Sequence, residues 1–135
     1  MGVPDLLRRS PVFARFDDET LVRLSAPFSE VEFPAEHVLI EPRTPGSGLF
    51  VICDGSVVAE ARGKQRELGR GDVVGEISLL EEDGLRRARV VAKTPVTCLA
   101  LGRTDFERLL SAEPEFADAM RQLAREQLAE REGSG

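Results

Sequence analysis

The chain has 135 residues, enough for one domain with a proper hydrophobic core. Hydrophobic residues make up 41% and charged residues 31%, a soluble globular composition that excludes a disordered chain. With 18 basic against 24 acidic residues the formal net charge is −6, which excludes bulk attraction to DNA, RNA or an anionic membrane surface.

The first ten residues, MGVPDLLRRS, lack the apolar core of a secretory signal, and the residues after Gly2 lack the hydroxyl of a myristoylation site. No apolar run approaches membrane-spanning length, so a cytoplasmic protein with neither a membrane nor a direct nucleic-acid partner is expected. From Asp5 the pattern is helical. Leu6 and Leu7 precede Ser10-Pro11, and Asp17-Asp18-Glu19 opens a second helix carrying Leu21, Leu24 and Phe28. Asp17 or Asp18 can cap that helix, and acids at its start complement its dipole.

From Val31 to Leu101 the chain reads as short strands broken by turns. Val31-Glu32-Phe33, Val38-Leu39-Ile40 and Leu49-Phe50-Val51-Ile52-Cys53 come first, followed by Val57 to Ala61. Asp54-Gly55 is a hairpin signal, and Arg62 to Gln65 and Gly69 to Asp72 read as further turns. Val90-Val91-Ala92 and Val96 to Leu101 close the series. Many short strands, each ended by Gly, Pro or Asp, predict a mainly β fold, an antiparallel β-roll or jelly roll with flanking N-terminal and C-terminal helices. Beyond it, Thr104 and Glu107 read as a capping box, and Pro114 opens a last helix striped with Phe116, Met120, Leu123, Ala124 and Leu128. That helix can lie over the roll or pair with its copy in a homodimer. One domain is expected over 1–132, with helices over 5–30, the roll over 31–102 and helices over 104–132, before a flexible tail at 133–135.

The inventory of reactive groups argues against catalysis. His37 is the only histidine, and it falls in a turn, so neither a metal cluster nor a nucleophilic triad can be assembled. Cys53 and Cys98 sit inside apolar runs, as buried thiols do, and their number and spacing suit a reducing compartment. Gly46-x-Gly48 and Gly69-x-Gly71 complete no phosphate-loop fingerprint and read as β-turns.

One stretch is chemically richer: Val74 to Ala92, VGEISLLEEDGLRRARVVA. Gly75 lets the backbone approach a ligand closely, Glu76 offers a carboxylate to hydroxyls, and Arg86 and Arg87 offer fixed positive charge to a phosphate. A short helical turn after Gly75 adds N–H groups that favour an anion. Together these are the contacts a sugar phosphate requires. Taken alone, Arg86, Arg87 and Arg89 could pair with Glu76, Glu81, Glu82 or Asp83 in a solvated loop.

These residues resemble the cyclic nucleotide-binding domains of bacterial catabolite activator proteins, protein kinase A regulatory subunits and cyclic nucleotide-gated channels. LLRRSPVFARFDDETLVRLSAPF is similar to the family's N-terminal helical segment, and FPAEHVLIEPRTPGSGLFVICDGSVVA to its paired strands. VVGEISLLEEDGLRRARVVAKT resembles its phosphate-binding cassette. The resemblance implies a non-enzymatic sensor whose ligand is cAMP or cGMP, with no other cofactor and no metal. Gly75 and Glu76 would meet the ribose, Glu76 taking the 2′-hydroxyl, and Arg86 would bind the cyclic phosphate. Ile77, Ser78 and Ala88 match positions whose backbone N–H groups approach the ligand. Arg87 stands where the family has a small Ser or Ala, and Arg89 where it has threonine or an aromatic residue. Each could tighten phosphate binding or fold into the site and pair with Glu76. The second outcome would leave a degenerate fold serving as a protein-interaction or dimerisation module. No Ser or Thr lies between Pro114 and Glu132, so base or lid contacts would fall to Arg121, Gln122 or Arg125.

Overall fold

The computed structural model describes residues 2–42, 48–61, 63–75 and 88–133. Three short helices come first: α1 (Val3–Arg8), α2 (Pro11–Ala14) and α3 (Asp18–Ser25). Pro11 ends the first run because it brings no N–H, and it restarts the chain at the first position of α2. Asp17 caps α3, its carboxylate accepting from the Thr20 N–H at 2.8 Å. That bond, with a weaker one to the Thr20 hydroxyl, holds the Asp17 carboxyl below its ordinary pKa.

Among the described residues eight strands follow: β1 (Ser29–Phe33), β2 (Val38–Ile40), β3 (Gly48–Asp54), β4 (Val57–Ala61), β5 (Lys64–Leu68), β6 (Val73–Val74), β7 (Arg89–Ala92) and β8 (Val96–Gly102). They form two antiparallel four-stranded sheets, ordered β1-β8-β3-β6 and β2-β7-β4-β5. The chain passes repeatedly from one sheet to the other, as a jelly roll requires. Helices α4 (Arg103–Ala112) and α5 (Pro114–Gly133) complete the described chain.

The central strands of the first sheet, β3 and β8, are buried on both faces, which is why their sequences are continuous apolar runs. On β3 and β8, Leu49, Val51, Cys53, Leu99 and Leu101 face a core shared with the helices. Ile52 and Cys98, alternating with them, face a second cluster between the sheets with Ile40, Val57, Val74, Val90, Ala92 and Val96. The helical core centres on Phe13, whose ring lies 5.9 Å from Phe28 and 6.3 Å from Phe116; Phe116 in turn meets Phe106 edge-on at 5.8 Å. The second sheet is covered on one face only and reverts to alternation, with Val57 buried and Glu60 exposed on β4.

Several local expectations need correction. Asp54-Gly55 makes no hairpin: β3 already pairs with β8 and β6 on its two edges, so the chain must leave for the other sheet. The hairpin joins β4 to β5, where Ala61 pairs with Lys64, and Gln65 is already strand. Thr104 does not cap α4. Strand β8 runs to Gly102, which becomes the N-cap, and Glu107 instead accepts from Arg103 Nε at 3.1 Å. Helix α3 ends at Ser25, and Phe28 reaches the same core from the turn beyond it.

Both cysteines are buried and unbridged. They face opposite sides of the first sheet, which denies a disulfide the converging side chains it needs. Burial, reinforced by the neighbouring Cys53, pushes the Cys98 thiol up to about 12. His37 is exposed and stacks on Phe33 with ring centroids 4.6 Å apart.

Candidate functional site

Strand β6 is only two residues long because Gly75 turns the chain out of the first sheet with φ at 102°. That left-handed region favours glycine over any residue with a Cβ. The next described residue, half-buried Ala88, precedes β7, which lies between β2 and β4 in the other sheet. Val74 and Val90, just inside these two points, both belong to the cluster between the sheets. The two ends of the stretch singled out by sequence are thus anchored on opposite sheets, beside one apolar interior. Glu76, Ile77, Ser78, Arg86 and Arg87 lie outside the described residues.

Arg89 is exposed at the head of β7. Its register partner is Glu60, and its Nε lies 3.9 Å from Glu41 Oε1. With Val58, Glu60, Gln65 and Val91 it lines a shallow depression. Because Val90 and Ala92 of the same strand point into the roll, alternation turns Arg89 and Val91 to the outer face. A second ion pair, Lys93 Nζ to Glu67 Oε1 at 2.6 Å, decorates the sheet nearby. Pairs this exposed add little stability. What the geometry supplies is a direction for Arg89, outward and toward Glu41.

Arg121, Gln122 and Arg125 are all exposed on α5. Phe116, Met120 and Ala124 occupy the opposite stripe and bury it against the protein. The partners of Arg121 and Gln122 are local: Arg121 lies 4.0 Å from Asp118, and Gln122 donates to Glu126 at 3.2 Å. The structure therefore places Val74 and Val90, close in sequence to Gly75 and Ala88, in one cluster between the sheets and sets the three polar side chains on the surface of the last helix. Among the described residues no group of three or more side chains could hold a metal ion, and no helix is long and apolar enough to cross a membrane.

Two contacts near this region have no counterpart in the sequence reading. Glu113, the joint between α4 and α5, receives Arg23 Nε at 3.1 Å and Arg23 Nη2 at 3.2 Å, a two-pronged pair that raises the pKa of Arg23. Ser10 donates its hydroxyl to the Gly71 carbonyl at 2.6 Å in a buried position. The partners are 90 and 61 residues apart, beyond the reach of any local pattern.

Residues 30–113 match the family profile described as a cyclic nucleotide-binding domain. A cyclic nucleotide-gated potassium channel of Rhizobium etli is 31% identical over 90% of this chain and 34% of its own length. The cGMP-dependent protein kinase, isozyme 1, of Drosophila melanogaster is 33% identical over 93% of this chain and 18% of its own. The chain thus spans about a third of the channel and less than a fifth of the kinase. Among solved structures, the N-terminal domain of a transcriptional regulator from Streptomyces coelicolor A3(2) is 34% identical with a TM-score of 0.69, each chain covered to 94%. A jelly roll with flanking helices, a glycine turn leaving one sheet beside the inter-sheet interior, and these matches along nearly its whole length place the chain in the cyclic nucleotide-binding domain family.

Proposed function

We propose that this domain is a non-enzymatic sensor that binds cAMP or cGMP in the cytoplasm, with Glu76 holding the ribose 2′-hydroxyl and Arg86 the cyclic phosphate. The observation that carries the reading is the anchoring of Val74 and Val90, beside Gly75 and Ala88, on opposite sheets in one apolar interior. A segment tethered in that way can offer backbone N–H groups, a carboxylate and an arginine to one ligand while a base finds apolar surface beside it. Arg89 pairing with Glu41 on the outer face supports an open site over one closed by that side chain. Ligand binding would shift the population of α5 positions, and the output would pass to a protein partner or to a second copy through that helix.

Calorimetric titration with cAMP, cGMP and cyclic di-GMP tests the reading. Heat with one of the first two is expected, and Arg86→Ala should abolish it while leaving thermal unfolding unchanged. A variant that still binds would remove the phosphate role from Arg86. Absence of heat and of thermal shift with all three ligands would instead identify a degenerate domain used as an interaction module.

A further inference from the structure

Ser10 occupies the N-cap position of α2, and its carbonyl accepts from the Phe13 and Ala14 N–H groups at 3.0 and 2.9 Å. A serine there ordinarily turns its hydroxyl onto the helix N-terminus. This one makes no side-chain cap. Its hydroxyl, fully buried, goes instead to the Gly71 carbonyl. A local helix-stabilising bond has been given up for one that reaches the sheet.

The turn that receives it is tightly specified. Gly69 N–H donates to Asp72 Oδ2 at 2.8 Å, Asp72 N–H returns to the Gly69 carbonyl at 3.0 Å, and Gly71 N–H donates to the Ile52 carbonyl at 2.7 Å. Gly71 has φ at 92°, and a Cβ there would stand 3.2 Å from Pro11 Cδ and 3.3 Å from the Arg9 carbonyl. The helices therefore press on the turn at Gly71, where there is no side chain. Directly after it come Val73-Val74 and then Gly75.

The unit bearing Ser10 is a firm support. Phe13 packs against Phe28 and Phe116, and Arg23 clamps the α4–α5 joint through Glu113. We propose that Ser10 is a positioning residue for the candidate site: through the Gly71 carbonyl it fixes the path of β6 and with it the placement of Gly75 at the edge of the inter-sheet interior. The nucleotide part of this inference rests on the function proposed above; the positioning part does not.

The test compares Ser10→Ala with Ser25→Ala. Ser25 is also buried and also gives its hydroxyl to a carbonyl, that of Val22 at 2.9 Å, but within its own helix. Hydrogen exchange on the full ligand-free chain should show faster exchange at 73–75 in Ser10→Ala, beyond any uniform change, and no such local effect in Ser25→Ala. Titration with cAMP and cGMP below the unfolding range of both variants should give about fivefold to tenfold weaker binding for Ser10→Ala and wild-type affinity for Ser25→Ala. Unchanged exchange at 73–75 in Ser10→Ala overturns the proposal, as does an equal loss of affinity in the two variants. If the wild-type chain binds neither nucleotide, the function proposed above fails and the exchange result alone decides the role of Ser10.

Discussion

The two faces of the first sheet are built differently. Toward the helices lies a core of large rings, with Phe13, Phe106 and Phe116 fully buried among leucines from α1, α3, α4 and the sheet. Toward the second sheet lies a smaller cluster of β-branched and short side chains, with Phe33, Leu39, Phe50, Ala59 and Leu68 packed on it only half-buried. The difference separates two tasks. The ring-filled side gains most from exclusion of water and holds the fold together, while the lightly filled side leaves half-buried apolar surface beside the candidate site.

Substitutions that discriminate between the faces can sharpen or break this division. The largest effect is expected from Phe13→Ala, which should lower stability by about 3–5 kcal/mol. That is a large share of the stability of an ordinary domain, and urea unfolding monitored by circular dichroism would measure it. Val90→Ala, on the other face, should lower stability by about 2 kcal/mol and weaken nucleotide binding as well. If Val90→Ala left affinity intact while Phe13→Ala removed it in the folded protein, the division of labour would be reversed.

The Cys98 thiol probes the face turned toward the second sheet. Cys98 should resist alkylation at pH 8 in the native chain and react on unfolding, as mass spectrometry of labelled protein would show. An unfolded thiol ionises from about pH 9, whereas the folded Cys98 is held neutral up to about 12. Its stabilising contribution is thus complete below pH 9 and lost as the pH rises toward 12, and Cys98→Ala should flatten that alkaline decline. The smallest effect belongs to the helical side's edge. Asp17→Ala should lower the melting temperature by roughly 3–5 °C. Because the folded carboxyl titrates below its ordinary value of 3.8, this stabilisation is present above that pH and lost as the pH falls through the lowered value. Acid unfolding of the two proteins should therefore converge.

Much of this division could be read along the chain. The apolar runs LFVIC and VTCLAL mark strands buried on both faces, while the alternating exposure of β4 marks a sheet covered once. The candidate site was legible at Gly75 because a glycine before an acid at a strand end carries local meaning, and the structure finds its φ positive. The hairpin expected at Asp54-Gly55 failed because a turn signal says that the chain reverses and not which sheet receives it. The box expected at Thr104 and Glu107 failed because β8 feeds α4 without a loop, placing the cap two residues earlier. Nothing in the arginine pattern around position 89 distinguished a side chain turned into the roll from one paired with Glu41, since that depends on the pleat of β7 within its sheet.

By itself the sequence determined the mainly β roll with its flanking helices and most of the elements, because periodicity and turn chemistry act over a few residues. Only the tertiary structure decided which strands share a sheet, where Arg89 points, and that Ser10 and Arg23 tie the N-terminal helices to Gly71 and Glu113. Those contacts join residues far apart in the chain, and their stabilisation appears only once the sheets and helices have brought the partners together.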